Sequence, residues 1–292
     1  MKNEKNLYVQ VKVQARPEYL ETLSAYLFAL NAEGIQEEEN GFVVFFHKNI
    51  WSPEKHQLLL KELQTIIPDF DESRLQIETQ EEEDWLHNWK ENFKPFHLTP
   101  RVVVQPDWEN YQPDGDEGDE MVITIAPKMA FGTGHHESTQ LALMLMEEFL
   151  KPGMRVLDVG TGSGILTIYA AQKGASFVLG IDNDAVSIEN AMENAALNGV
   201  AEKIIFRIRD AREFYHPDFD LVVANINRNV LLEITAGLQK ALKPSGILIL
   251  SGILKQDRPV MLEALKAFPL EQVAEKTKNE WLGLAFKKKA VH

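Results

Sequence analysis

From Arg155 onward the chain keeps returning to one pattern, a short apolar strand followed by an amphipathic helix. "RVLDVG" leads into "GILTIYAAQKG", "FVLGID" into "AVSIENAMENAALNG", "FDLVVANI" into "VLLEITAGLQKAL", and "GILILSGI" into "RPVMLEALKAF", while "KIIFRIRD" runs into a loop. Strands buried on both faces read as near-continuous apolar runs, and parallel neighbours need a long crossover between them. Regular strand-helix alternation therefore predicts an α/β fold, a parallel sheet with helices on both faces. The last segments, "LEQVAEKTKN" and "EWLGLAFKKK", read as a closing strand pair with no helix between them.

The first part of the chain follows a different rule. In "LYVQVKVQ", Leu7, Val9, Val11 and Val13 alternate onto one face, as a half-buried strand requires. Pro17 opens a stretch with apolar residues at helical spacing, and Asn40-Gly41 between two strand-like halves predicts a hairpin. Ser52 and Pro53 suit the cap and first position of a second helix, and "SRLQIETQ" alternates again. The order β-α-β-β-α-β predicts a small ferredoxin-like α+β domain over residues 1–80. Residues 81–98, acidic and aromatic with Trp85 and Trp89 four apart, read as a connector with a packing face. Residues 99–292 form the α/β domain. The Pro-, Gly- and acid-rich tract between "RVVVQP" and "MVITIAP" reads as a loop.

Composition narrows the function classes. There is no cysteine, which excludes disulfides and thiolate-metal sites and suits a reducing cytoplasm. The start carries no apolar signal stretch, and no apolar run nears the roughly 20 residues of a membrane span. A soluble cytoplasmic protein is expected, without membrane contact. The net charge of −14 is unevenly placed: residues 1–120 hold 25 acidic against 11 basic side chains, and residues 121–292 hold 19 of each. Besides favouring solubility, this suits attraction of a basic protein partner, whereas direct nucleic-acid binding would call for the opposite sign.

Two glycine-rich stretches carry the chemistry. In "VLDVGTGSG", Asp158 ends a strand, and Gly160, Gly162 and Gly164 precede a helix. Such glycines let the backbone turn sharply and approach a ligand at a helix N-terminus. The G-x-G-x-G spacing differs from the G-x-G-x-x-G of nicotinamide-dinucleotide sites, which disfavours an oxidoreductase. Asp182 ends the next strand, where a carboxylate can accept ribose hydroxyls, and Asp210 follows the third. Together they describe a site for a nucleoside. The other stretch, "MAFGTGHHESTQLAL", places Gly132 and Gly134 ahead of a helix. His135, His136 and Glu137 are consecutive and project differently, with no second ligand cluster, so no metal is expected.

On these residues the chain resembles the class I methyltransferases. More narrowly, "EEDWLHNWKENFKPFHLTPRVVVQPDW", "APKMAFGTGHHESTQLAL", "VLDVGTGSGIL", "GIDNDAVSIENAMENAALNGV", "LVVANI" and "LSGILKQD" occur in the order of the ribosomal protein L11 methyltransferase family. The resemblance spans essentially the whole chain. It implies a Rossmann-like domain with a mostly parallel seven-stranded sheet, S-adenosyl-L-methionine as cofactor, and contacts to it from Thr139, Gly160, Gly162, Asp182 and Asn225. Asp182 would take the ribose, and Asp210 matches a looser position beside the adenine. It also implies that Phe131–Thr139 folds over the cofactor held at Gly160–Gly164. The chain departs from the family pattern at Ala126-Pro127-Lys128 and in Ile226-Asn227-Arg228-Asn229, near the expected substrate entrance.

The implied reaction is methylation of lysine side-chain and N-terminal amines of ribosomal protein L11, by a monomer. Asn225 is the expected catalytic residue, orienting the amine through its side-chain carbonyl. A class I methyltransferase acting on another protein or on RNA stays open as the alternative.

Overall fold

A computed structural model describes residues 7–16, 19–20, 23, 26–27, 30–32, 34–38, 40–81, 94–112, 120–126, 134–213 and 218–290. Two compact units divide at Phe93 and Lys94. The expected connector falls largely outside the described residues, Trp85 and Trp89 included. Its last residues, Phe96–Leu98, belong to a strand of the second unit.

In the first unit, β1 (Leu7–Gln14), β2 (Gly34–Glu38), β3 (Gly41–His47) and β4 (Leu75–Glu81) form an antiparallel sheet of order β2-β3-β1-β4. Helix α1 (Pro53–Ile66) starts at Ser52, whose side chain accepts from the Lys55 N–H at 3.3 Å, as the sequence predicts. Val9, Val11 and Val13 pack on Leu59 and Leu63 of α1 and on helical Leu23 and Leu27.

The hairpin differs by one residue from expectation. Glu38 pairs with Gly41, so Gly41 is the first residue of β3 rather than part of the turn. A side chain there would bring Cβ to 2.0 Å from the Val13 carbonyl oxygen, so glycine serves the approach of the neighbouring strand.

The second unit holds two sheets. In the smaller, β5 (Phe96–Thr99) lies antiparallel to β6 (Val102–Pro106), and β6 runs parallel to β7 (Met121–Ile125). The larger contains β8 (Arg155–Val159), β9 (Phe177–Asp182), β10 (Ile204–Ile208), β11 (Phe219–Asn225), β12 (Leu242–Leu254), β13 (Leu270–Lys278) and β14 (Trp281–Lys288). Its order is β10-β9-β8-β11-β12-β14-β13, with β8 to β12 parallel and the last pair antiparallel. The closing strand pair is therefore present, with β14 inserted beside β12.

Strand alternation sends Val156, Val178, Leu221 and Ile249 to one face, under α2 (Glu137–Phe149) and α3 (Ile165–Gln172), with α4 (Ala185–Leu197) beside them. Leu157, Leu179, Val222 and Leu250 point oppositely, under α5 (Arg228–Ala241) and α6 (Arg258–Leu265). Among the described residues no helix is long and apolar enough to cross a membrane. Strand β8 neighbours β9 on one side and β11 on the other, so the order reverses there. A crevice opens at the carboxyl ends of strands at such a reversal.

Candidate functional site

The crevice is shaped by the turn that leaves β8. Gly160 has φ +72°, and a Cβ on it would meet Ile226 Cγ2 at 2.3 Å. Both facts exclude a side chain. The Gly160 and Thr161 N–H groups donate to the Ile181 carbonyl at 2.9 and 3.0 Å, tying the turn to β9. Gly164 then caps α3 in a left-handed conformation without any side-chain hydrogen bond. Ile165 and Leu166, the first residues of α3, thus line the crevice with no side-chain cap at Gly164, while the Thr167 N–H turns to Asp158.

Asp182, half-buried at the end of β9, braces this turn. One carboxylate oxygen accepts from the Gly162 N–H at 3.0 Å and the other from the Asp184 N–H at 3.1 Å. Each oxygen keeps a lone pair for a further donor.

Asp158 lies beneath the turn and was not among the sequence's site residues. It is 1% exposed, on the α3 face that alternation assigns it. Burial pushes its carboxyl up to about 7, and repulsion from Asp182 adds to this; the Thr161 hydroxyl and the Thr167 N–H act the other way. Thr161 Oγ1 donates to Asp158 Oδ2 at 2.7 Å, whereas Oδ1 is buried and, among the described residues, has no hydrogen bond of good geometry. The sequence carried one signal, a carboxylate set among the apolar residues Val156, Leu157 and Val159.

Asn225 closes the opposite side. It ends β11, two strands' ends from Asp182, and its Nδ2 donates to Thr139 Oγ1 at 3.2 Å. Its Oδ1 is buried and, among the described residues, accepts no hydrogen bond. Thr139, 2% exposed, sits in the first turn of α2. That turn is pinned at several points. His136 caps it by accepting from the Ser138 N–H, the buried Ser251 hydroxyl donates to the Ser138 carbonyl at 2.8 Å, and the His136 ring meets Trp281 edge-on at 4.4 Å.

The neighbouring His135 ring lies 3.8 Å from Phe96, and burial lowers its pKa by disfavouring the charged ring. Glu137 accepts from Asn279 Nδ2 at 2.8 Å. These residues therefore brace the start of α2 in different directions.

Thr139, Gly160, Gly162 and Asn225 line one narrow cleft, partly open to solvent, and Asp182 reaches it through Gly162. Asp210 is not brought into it. Its carboxylate accepts from the Arg212 N–H at 2.8 Å and pairs with the Arg212 guanidinium at 3.3 Å, which holds its pKa down. Residues 127–133, including Pro127, Lys128 and part of the expected cover segment, lie outside the described residues. The departures after Asn225 have local roles. Ile226 fills the space opposite Gly160, its carbonyl oxygen would stand 2.5 Å from a Cβ on Gly252, and Asn227 caps α5 by accepting from the Val230 N–H.

Residues 7–289 match the family described as ribosomal protein L11 methyltransferase (PrmA). The ribosomal protein L11 methyltransferase of Caldicellulosiruptor bescii is 34% identical over 96% of this chain and 99% of its own length. That of Caldanaerobacter subterraneus subsp. tengcongensis is 39% identical over 74% of this chain and 68% of its own. A crystal structure of a ribosomal protein L11 methylase from Lactobacillus delbrueckii subsp. bulgaricus superposes with a TM-score of 0.63 at 36% identity, covering 68% of this chain and all of that one. With its glycine turn, strand-end acid and buried asparagine in one crevice, the chain belongs to the ribosomal protein L11 methyltransferase family.

Proposed function

We propose that the chain methylates amines of ribosomal protein L11, lysine side chains and the N-terminal α-amino group, using S-adenosyl-L-methionine bound in the crevice at the ends of β8, β9 and β11. The residues present fit that cofactor. The glycine turn leaves room for close approach, α3 offers N–H groups to a carboxylate, and buried Asp158 lies beneath the turn as a counter-charge for an ammonium. Asp182 keeps acceptor capacity for ribose hydroxyls. When bound, S-adenosyl-L-methionine supplies an electrophilic methyl group on a cationic sulfonium.

The task left to the protein's own residues is to present a neutral, aligned amine. A lysine amine near its reference pKa of about 10.4 is almost wholly protonated at pH 7, a deficit worth roughly 4.6 kcal/mol. Desolvation next to a positive charge reduces it, because both disfavour the ammonium form. Asn225 then directs the amine. With its Nδ2 committed to Thr139, its free Oδ1 is left to accept an amine N–H, and alignment of the nitrogen follows. A buried acceptor without a partner costs about 1–3 kcal/mol, so a ligand N–H there is favoured. This orphaned oxygen is the observation that carries the reading.

The acidic excess of residues 1–120 suits a basic ribosomal protein and argues against direct nucleic-acid contact. We place the reaction in the cytoplasm, with the chain acting as a monomer. The test is methyl transfer to purified ribosomal protein L11, read by mass spectrometry. Asn225→Ala is expected to lower kcat about 100-fold while leaving the melting temperature within a few degrees. Undiminished turnover would reject the role of Asn225, and absence of L11 methylation by the wild-type chain would reject the proposed substrate.

A further inference from the structure

Among the described residues, strand β7 has β6 on one side and no strand on the other. An open edge leaves N–H and C=O groups that need partners. Here side chains provide them. Gln172 Nε2 donates to the Val122 carbonyl at 3.2 Å, and Asn198 accepts from the Thr124 N–H at 2.8 Å while donating to its carbonyl at 2.6 Å. Asn194 Oδ1 accepts from the Ala126 N–H at 2.8 Å. The contacted residues alternate, as a strand edge requires, and Asn194 and Asn198 stand four apart, on one side of α4 and its cap.

Asn194 also does something the others do not. Its Nδ2 donates to the Ser163 carbonyl, within the glycine turn, at 2.8 Å. The side chain is fully buried, with its acceptor on the strand and its donor on the turn. Ala126 is the point from which the chain leaves β7 toward Thr139, and Ser163 lines the cleft.

We propose that Asn194 is a positioning residue for the cofactor. The two ends of one buried amide fix the spacing between the glycine turn and the root of the segment that leads to Thr139, and so set the width of the cleft. This rests on the crevice being the S-adenosyl-L-methionine site. An aspartate at this position would still accept from Ala126 but would turn a carboxylate oxygen toward the Ser163 carbonyl, replacing attraction by repulsion where no water screens it.

The experiment is calorimetric titration of S-adenosylhomocysteine into the wild-type chain, Asn194→Asp and Asn198→Ala, with melting curves and cofactor KM and kcat for each. Asn194→Asp is expected to bind at least tenfold more weakly, with cofactor KM raised and kcat at saturating cofactor within threefold of wild type. Asn198→Ala, which loses the bonds to Thr124, to Gln172 and to the Asn194 carbonyl but leaves the Asn194 side chain its grip on Ala126 and Ser163, is expected to melt earlier yet bind within twofold of wild type. Unchanged affinity in Asn194→Asp overturns the proposal, and so does an equal loss in Asn198→Ala. If Asn194→Asp does not fold, amide exchange in the wild-type chain decides. Bound S-adenosylhomocysteine should slow exchange at Ala126 together with Gly160–Gly164, and protection confined to the turn overturns the coupling. A wild-type chain without affinity for S-adenosylhomocysteine is a different result: it removes the cofactor reading, and this inference with it.

Discussion

The two walls of the cleft are held by different means. On the β8 wall the backbone itself is the constraint: Gly160 sits at φ +72°, and its amide is bonded to β9. On the α2 wall the backbone is ordinary helix, and side chains from distant strands hold it, Ser251, Trp281 and Asn225 among them. A wall made of backbone geometry tolerates no substitution at its key point, whereas one held by several contacts loses its hold by degrees.

The sharpest break of this contrast is Gly160→Ala. The added methyl would lie 2.3 Å from Ile226 Cγ2 at a positive φ, so something must shift in the turn. S-adenosylhomocysteine affinity is expected to fall at least 100-fold, against a stability loss of about 1–3 kcal/mol. Calorimetry beside denaturant unfolding checks both.

Asp158 gives the next effect, and it belongs to the β8 wall alone. Its folded pKa of about 7 lies above the ordinary value of 3.8, so the folded state keeps a proton that the unfolded state loses first. The contribution of this group is therefore at its best below pH 4, declines as pH rises toward 7, and is level above that. Asp158→Asn should flatten this part of the stability profile, measured by unfolding between pH 4 and 8. A cofactor ammonium favours the ionised carboxylate, so wild-type affinity for S-adenosylhomocysteine is expected to rise about tenfold from pH 6 to 8, and the rise should vanish in Asp158→Asn.

The smallest effect is expected on the α2 wall. Trp281→Ala removes the edge contact to His136 and should cost about 1–2 kcal/mol, with a few-fold rise in cofactor KM. A loss as large as that of Gly160→Ala would erase the distinction between the walls.

Much of the fold was legible because its signals are local. The alternation of Val9, Val11 and Val13, the cap at Ser52 and the βα repeats from Arg155 all follow from periods of two and 3.6 residues within a short window. The hairpin was placed one residue late, since Asn40-Gly41 reads as a turn whereas Gly41 is needed against Val13, far away in sequence. Asp210 follows β10 as the third strand-end acid, and what its sequence position did not show is that Arg212, two residues on, pairs with its carboxylate. Asn194 passed unnoticed as a polar residue on an amphipathic helix, although asparagines at 190, 194 and 198 repeat every fourth position.

Residue order alone was enough for the backbone requirements: which strands would be buried, where glycine had to stand, and which acid would follow β9. Those depend on steric limits and hydrophobic spacing that neighbours in the chain decide. The pairing of Asn225 with Thr139, the raised pKa of buried Asp158 and the double grip of Asn194 emerged from packing. A side chain's partners and its local dielectric are supplied by segments remote in sequence, and they come into being when the sheet and its helices close around it.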